Sequence, residues 1–247
     1  MNKFYVATDG CRIAYRDEGP RDAPLVALCT MGQSAMTVWD SLVAGLSDRW
    51  RVVRHDRRGD GESDPGSPLS HTFEQYSHDL VGLMDDLSAR TVFLMGMAFG
   101  ARVAVRAALD FPERVAGLVL FDATGGPPAP ELAREEGRRL AADLRAKSGL
   151  KTPHIEPAWF ARRDREGRGL GANALLNQPA WIPGLAGIVA PTLIACGEQD
   201  PNLAGSKRMA GEIAGAAFTL MPMTGHASIL DRPDLVLSIT REFLETH

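Results

Sequence analysis

The sequence predicts an α/β fold, an eight-stranded and mostly parallel sheet with flanking helices. Short apolar runs alternate along the chain with longer stretches of helical period. Four of the runs, Leu25–Cys29, Val92–Met95, Val115–Phe121 and Thr192–Cys196, are almost wholly apolar, as strands covered on both faces must be. The first two runs, Phe4–Ala7 and Arg12–Arg16, flank Asp9-Gly10, a strong turn dipeptide, and read as an antiparallel hairpin.

The remaining strands are expected at Arg51–His55 and Phe218–Met221. Helices are expected at Thr37–Leu46, Thr72–Leu87, Gly100–Asp110, Gly205–Ile213 and Pro233–Glu245. In the second of these, Phe73, Tyr76, Leu80, Leu83, Met84 and Leu87 recur at helical spacing and form one apolar stripe, with Thr72 placed to cap its start. Strand–helix–strand alternation is the pattern of a parallel sheet wrapped by helices.

Between Gly125 and Asn177 the rhythm breaks. A Gly-Gly-Pro-Pro opening leads into charged amphipathic stretches and a Gly-rich piece, with no strand pattern. We read residues 1–124 and 178–247 as one core and 125–177 as a small helical cap inserted into it. The insertion carries Arg134, Arg138, Arg139, Arg145, Arg162, Arg163, Arg165 and Arg168, but interleaved acids make a solvated face the expectation.

The composition excludes several classes. A net charge of −4 gives no basic footprint for nucleic acid. No apolar run is long enough to span a membrane, and the N-terminus lacks the apolar core of a signal peptide. The three cysteines, Cys11, Cys29 and Cys196, each lie in or beside an apolar run, so buried thiols in a reducing cytoplasm are expected. No Cys/His cluster suggests a metal, and no G-x-G-x-x-G or P-loop suggests a nucleotide, so neither metal nor cofactor is expected. The oligomeric state is left open, a homodimer included.

After the strand Val92–Met95 comes Gly96-Met97-Ala98-Phe99-Gly100, then the helical run Ala101–Leu109. A strand, a sharp glycine-flanked turn and a helix present the central residue in a strained conformation, beside the free N–H groups of a helix N-terminus. The segment resembles the nucleophile elbow of the α/β-hydrolase family, with Ala98 at the serine position. An alanine has no oxygen with which to form an acyl-enzyme.

Other stretches extend the resemblance. Gly197-Glu198-Gln199-Asp200 follows a strand whose C-terminal end can deliver a carboxylate above the sheet. Gly225-His226 follows the last strand. The order elbow, Asp200, His226 matches the Ser…Asp…His order of the family. His55-Asp56-Arg57-Arg58-Gly59-Asp60-Gly61-Glu62-Ser63-Asp64 looks like the family's D-x-R-G-x-G-x-S turn, and Asp56 and Arg57 are read as structural. Asp122 is the alternative acid. His71 and His78 are read as packed or solvated, as is His154, which keeps substrate contact as an alternative. The loop Thr30–Trp39 and Phe111-Pro112-Glu113-Arg114-Val115 look most like the 3-oxoadipate enol-lactonase group, small cytoplasmic lactone hydrolases with a helical cap.

The resemblance implies an oxyanion site made by the backbone N–H of Phe99 and that of Met31 or Gly32. A small-molecule pocket is expected between sheet and insertion, with Met97, Phe99, Trp159, Phe160 and Met223 as candidate lining. Three readings of Ala98 follow. In the first, the working enzyme is a serine hydrolase of a small lactone or ester, and alanine at 98 inactivates this chain. In the second, the protein is naturally serine-free and uses His226–Asp200 as the base of a lyase, cyclase or cofactor-free oxygenase. In the third, it is a non-catalytic small-molecule binding module.

Overall fold

The structure, a computed structural model, describes residues 2–151, 153–160 and 170–247. Its centre is one eight-stranded sheet of order β1-β2-β4-β3-β5-β6-β7-β8. The strands are β1 (Lys3–Val6), β2 (Arg12–Glu18), β3 (Leu25–Cys29), β4 (Arg51–His55), β5 (Val92–Met97), β6 (Val115–Phe121), β7 (Thr192–Gly197) and β8 (Ala217–Met221). β1 pairs antiparallel with β2 through the Asp9-Gly10 turn, where Gly10 has φ 82°. β2 is antiparallel to β4, and every later pairing is parallel.

The central strands are apolar throughout because alternate residues enter two separate cores. On β5, Val92 and Leu94 join one core, while Phe93, Met95 and Met97 join the other. The first core receives α2 (Phe73–Asp86), α3 (Phe99–Asp110) and Met209 from α6 (Leu203–Glu212). The second receives α1 (Asp40–Leu46) and α8 (Pro233–Thr246). The Thr72 hydroxyl caps α2 by accepting from the Gln75 N–H at 3.1 Å.

Several boundaries differ from the sequence reading. β5 and β7 each run further, to Met97 and Gly197, because glycine allows the ladder to continue where another chain segment presses close. The single helix expected from Thr37 is a 3-10 turn, Met36–Trp39, leading into α1. The four-residue α7 (Ser228–Asp231) had no periodic signal to announce it.

Between β6 and β7 the described residues hold α4 (Glu131–Lys147), a 3-10 turn (Pro157–Phe160) and α5 (Leu170–Leu176), with no strand among them. The excursion closes on itself, since the Ile182 N–H donates to the Gly125 carbonyl at 2.7 Å. The expectation of a solvated arginine face fails in part. Arg145 is buried, because it donates to Asp231 and to the Met223 carbonyl, each at 2.8 Å. Arg134 and Arg138 line a cavity and share Glu131 as partner. Arg139 does point outward, paired with Glu136. Arg162, Arg163, Arg165 and Arg168 lie outside the described residues.

Candidate active site

Three chain turns converge above the C-terminal ends of β5, β7 and β8. The first is the elbow. Ala98 has φ 51° and ψ −108°, a left-handed conformation rare for a residue with a side chain. Its N–H donates to the Phe121 carbonyl at 2.9 Å, and α3 starts at the next residue. The flanking glycines are sterically required. A Cβ on Gly96 would lie 2.5 Å from the Gly100 carbonyl oxygen, and one on Gly100 would lie 2.1 Å from that of Cys29. The close approach of α3 to the end of β3 also brings Gly32 beside Phe99, with 3.6 Å between a built Gly32 Cβ and that of Phe99. The Phe99 N–H is the first of the helix, where no intrahelical acceptor exists.

The second and third turns carry Asp200 and His226, both almost fully buried. His226 Nδ1 lies 2.9 Å from Asp200 Oδ2. The other carboxylate oxygen accepts from the Asn202 N–H at 2.8 Å, and Asn202 Nδ2 sits 3.2 Å from the same imidazole nitrogen. A carboxylate on Nδ1 keeps the proton on that nitrogen and leaves Nε2 as the basic one. The two loops are stitched together by Glu198 N–H to the Met221 carbonyl and Gln199 N–H to that of Thr224, both 2.9 Å. Gly197 permits this closeness, since a Cβ there would meet the Thr224 carbonyl oxygen at 2.3 Å.

A cavity of about 390 Å³ opens over the elbow. Ala98, Phe99, Met31, Gly32 and His226 all face it, so the residues read from sequence as nucleophile position, oxyanion loop and base share one space. Asp122 and Asn202 face it too. Arg102, Glu131, Arg134, Arg138 and Phe160 line it as well. Burial pushes the Glu131 carboxyl up, but the Arg138 hydrogen bond and the Arg134 and Arg138 charges outweigh it, and its pKa ends below the ordinary value.

The expected apolar lining is only partly there. Phe99 and Phe160 face the cavity, whereas Met97, Trp159 and Met223 do not. Met97 continues the strand and points into the core beneath the elbow. Trp159 packs against that same core and its carbonyl accepts the Ala35 N–H. Met223 turns toward the end of α4, with Sδ 3.3 Å from the Ser148 hydroxyl.

The other predicted roles are located as follows. Asp56 holds its turn by accepting from Met36 N–H at 2.6 Å and Glu62 N–H at 2.9 Å. Arg57 pairs with Asp60 and stacks on the Phe99 ring at 4.0 Å. His71 is packed against the Tyr76 hydroxyl, His78 bonds the Glu74 carbonyl, and exposed His154 pairs with Glu156 outside the cavity. All three cysteines are buried free thiols. Asp122 does not reach Nδ1 of His226; its oxygens accept from the Ser228 N–H at 2.6 Å and the Gly197 N–H at 3.4 Å.

Sequence reasoning missed Asn202 and Arg102. Arg102 has a readable signal, since it and Arg106 are the two charged residues of the otherwise apolar run Ala101–Leu109. It is buried, and its acceptors among the described residues are neutral, Gln178 Oε1 and the Gly126 carbonyl. Desolvation pulls its pKa down to about 10. No helix among the described residues is long and apolar enough to cross a membrane.

The chain is similar to proteins of known structure and to curated relatives along nearly its whole length. An enol-lactonase from Burkholderia xenovorans LB400 superposes with a TM-score of 0.80 at 25% identity, covering 98% of this chain and 100% of that one. A thermophilic esterase from Thermogutta terrifontis superposes with a TM-score of 0.78 at 26% identity, over 100% of this chain and 98% of that one. A Bacillus subtilis (strain 168) protein provisionally assigned as a 2-succinyl-6-hydroxy-2,4-cyclohexadiene-1-carboxylate synthase is 28% identical over 96% of both chains. Residues 30–239 match the description "Alpha/beta hydrolase family", and with that span, sheet order and elbow the chain belongs to the alpha/beta hydrolase family.

Proposed function

We propose that the site is built for acyl transfer on a small anionic lactone or ester, with position 98 as the nucleophile position. The carrying observation is the conformation of Ala98. Its φ of 51° costs strain of about 1–3 kcal/mol, for which alanine itself has no use. That strain aims Cβ into the cavity that His226 and the first N–H of α3 share. A serine there would place a hydroxyl between the base and the oxyanion donors.

The chemistry then runs as follows. The hydroxyl attacks the carbonyl carbon and His226 Nε2 takes its proton. Asp200 fixes the imidazole tautomer and stabilises the cation that forms. Phe99 N–H, with Met31 or Gly32 N–H, stabilises the oxyanion. His226 returns the proton to the leaving alkoxide or enolate, and water repeats the cycle. Arg102 supports an anionic substrate: it is a buried guanidinium facing the cavity, and its hydrogen-bond partners among the described residues are neutral.

With alanine at 98 the first step has no attacking oxygen. Loss of the nucleophile in a serine hydrolase costs about 10⁶ in kcat. This chain is therefore expected to be an inert variant, and Ala98→Ser is expected to create lactonase or esterase activity favouring acids over their methyl esters. A serine variant inactive across a broad ester and lactone panel overturns the proposal.

The intact dyad favours a second reading, since a carboxylate-oriented imidazole is a competent base without any serine. There the unaltered protein turns over a substrate in a lyase, cyclase or cofactor-free oxygenase reaction, and His226→Ala abolishes it. Ligand binding without turnover in both the unaltered protein and its Ala98→Ser variant leaves a binding module.

A further inference from the structure

The acid side of the dyad contains more carboxylate than a simple pair needs. Asp122 follows β6 in a left-handed conformation, φ 51°, and is 1% exposed. One of its oxygens, one of Asp200 and the Cys196 sulfur lie within 4.8 Å of one another. Asp122 therefore stands beside Asp200 behind the imidazole.

Its placement is structural as well as electrostatic. Oδ2 accepts from the Ser228 N–H at 2.6 Å, two residues after His226. Oδ1 accepts from the Gly197 N–H at 3.4 Å, three residues before Asp200. The side chain thus ties the loop of the acid to the loop of the base.

We propose that Asp122 is a positioning residue that shares one proton with Asp200, so that the buried acid pair behind His226 carries a single negative charge until the pH rises past neutrality. Two like charges this close in a dry site cannot both persist cheaply, whereas one proton among four oxygens leaves one anion for the imidazole. Asp200 keeps the charge because it accepts from His226 Nδ1 and from the Asn202 N–H. Asp122 takes the proton on Oδ1, whose hydrogen bond is the longer of its two. Burial, then the Asp200 charge, push the Asp122 carboxyl up to about 7, against the smaller opposing effects of His226 and Ser228.

The other groups around it fit this assignment. Burial, with the Asp122 and Asp200 charges, drives the Cys196 thiol far up, so it stays neutral. Elsewhere on the cavity lining Glu131 is paired with Arg134 and Arg138, and Arg102 is held by Gln178 and Gly126. None of these makes a hydrogen bond to Asp122.

The proposal rests on the dyad geometry and not on a nucleophile, so it is tested on the protein with Ala98 and separately from the hydrolase reading. Two measurements are made on the protein and on Asp122→Asn, an isostere of the protonated acid. In ¹⁵N-resolved imidazole spectra, Asp122→Asn should leave the His226 titration in place, because the neutral amide reproduces the protonated acid, whereas loss of a second anion would lower the His226 pKa. In infrared difference spectra, a protonated-carboxyl band should disappear as pH rises from about 6 to about 8, and should be missing in Asp122→Asn. A His226 titration that moves down in the variant, or a band that survives the substitution, overturns the proposal. The titration of the band in the unaltered protein keeps the test decisive if the variant does not fold, since no band near neutral pH overturns it equally.

Discussion

Gly100 shows how far a single missing methyl group can reach. Its Cα lies so close to the end of β3 that a Cβ would meet three backbone atoms, the Cys29 carbonyl oxygen and carbon and the Thr30 oxygen, at 2.1 to 2.6 Å. Backbone cannot rotate away as a side-chain tip can. Gly100→Ala is expected to destabilise the protein by about 3 kcal/mol and to push the Met31-Gly32 loop off Phe99. Gly211, exposed near the end of α6 with open space around it, is the control: Gly211→Ala should gain up to about 1 kcal/mol from helix entropy. Urea midpoints of the two variants compare them, and equal shifts would refute the steric argument. This contrast was legible only in part. The spacing Gly96…Gly100 announces an elbow because strand, turn and helix must pass at backbone contact. Nothing local to Asp122 shows that it stands against Asp200, because the two are brought together by strand order.

At the scale of elements, α4 does more than roof the cavity. Glu131, Arg134 and Arg138 in its first turns face the cavity, while Arg145 in its last turn grips the histidine loop from the same side of the helix. Asp231 completes the grip by accepting the Gly225 N–H at 2.8 Å, next to His226. Gly225 and Gly137 let the backbones touch, as a Cβ on Gly225 would meet Arg138 Cα at 2.7 Å and one on Gly137 the Gln199 carbonyl oxygen at 2.2 Å. α4 is therefore seated on both loops of the dyad. Arg145→Met is expected to cost about 3–5 kcal/mol, since it strands a buried carboxylate. Amide exchange should accelerate over residues 222–231 more than in α2, and uniform acceleration would show that the loop is not what Arg145 holds. The sequence reading placed Arg145 on a solvated face because interleaved charges look alike from the sequence alone, whichever side the helix buries. Strands and helices were legible because their periodicity is set by burial against the sheet. α7 was not, since four residues hold no period.

For the molecule as a whole, two buried groups oppose each other in pH. His55, on β4, is almost fully buried, and burial, aided by Arg57 against the opposing Asp79, pulls its pKa from 6.5 to about 4. The native state then binds fewer protons than the unfolded one, so stability falls as pH drops from about 6.5 to about 4. Asp122 has the reverse sign. Its folded pKa of about 7 exceeds the ordinary 3.8, the native state binds more protons, and stability falls as pH rises between those values. Over the shared window each group contributes a slope of about 1.4 kcal/mol per pH unit, with opposite signs, so the pair cancels. Asp122→Asn removes one side and should leave stability rising with pH, by about 3 kcal/mol in total from pH 4 to pH 6.5. His55→Gln removes the other and should leave it falling across the same range. The readout is the slope of unfolding free energy against pH from denaturant titrations, so a fixed packing cost of either substitution drops out. Parallel curves for the unaltered protein and both variants would mean that neither group titrates on unfolding as its burial requires, and the buried acid pair behind His226 would lose its thermodynamic basis.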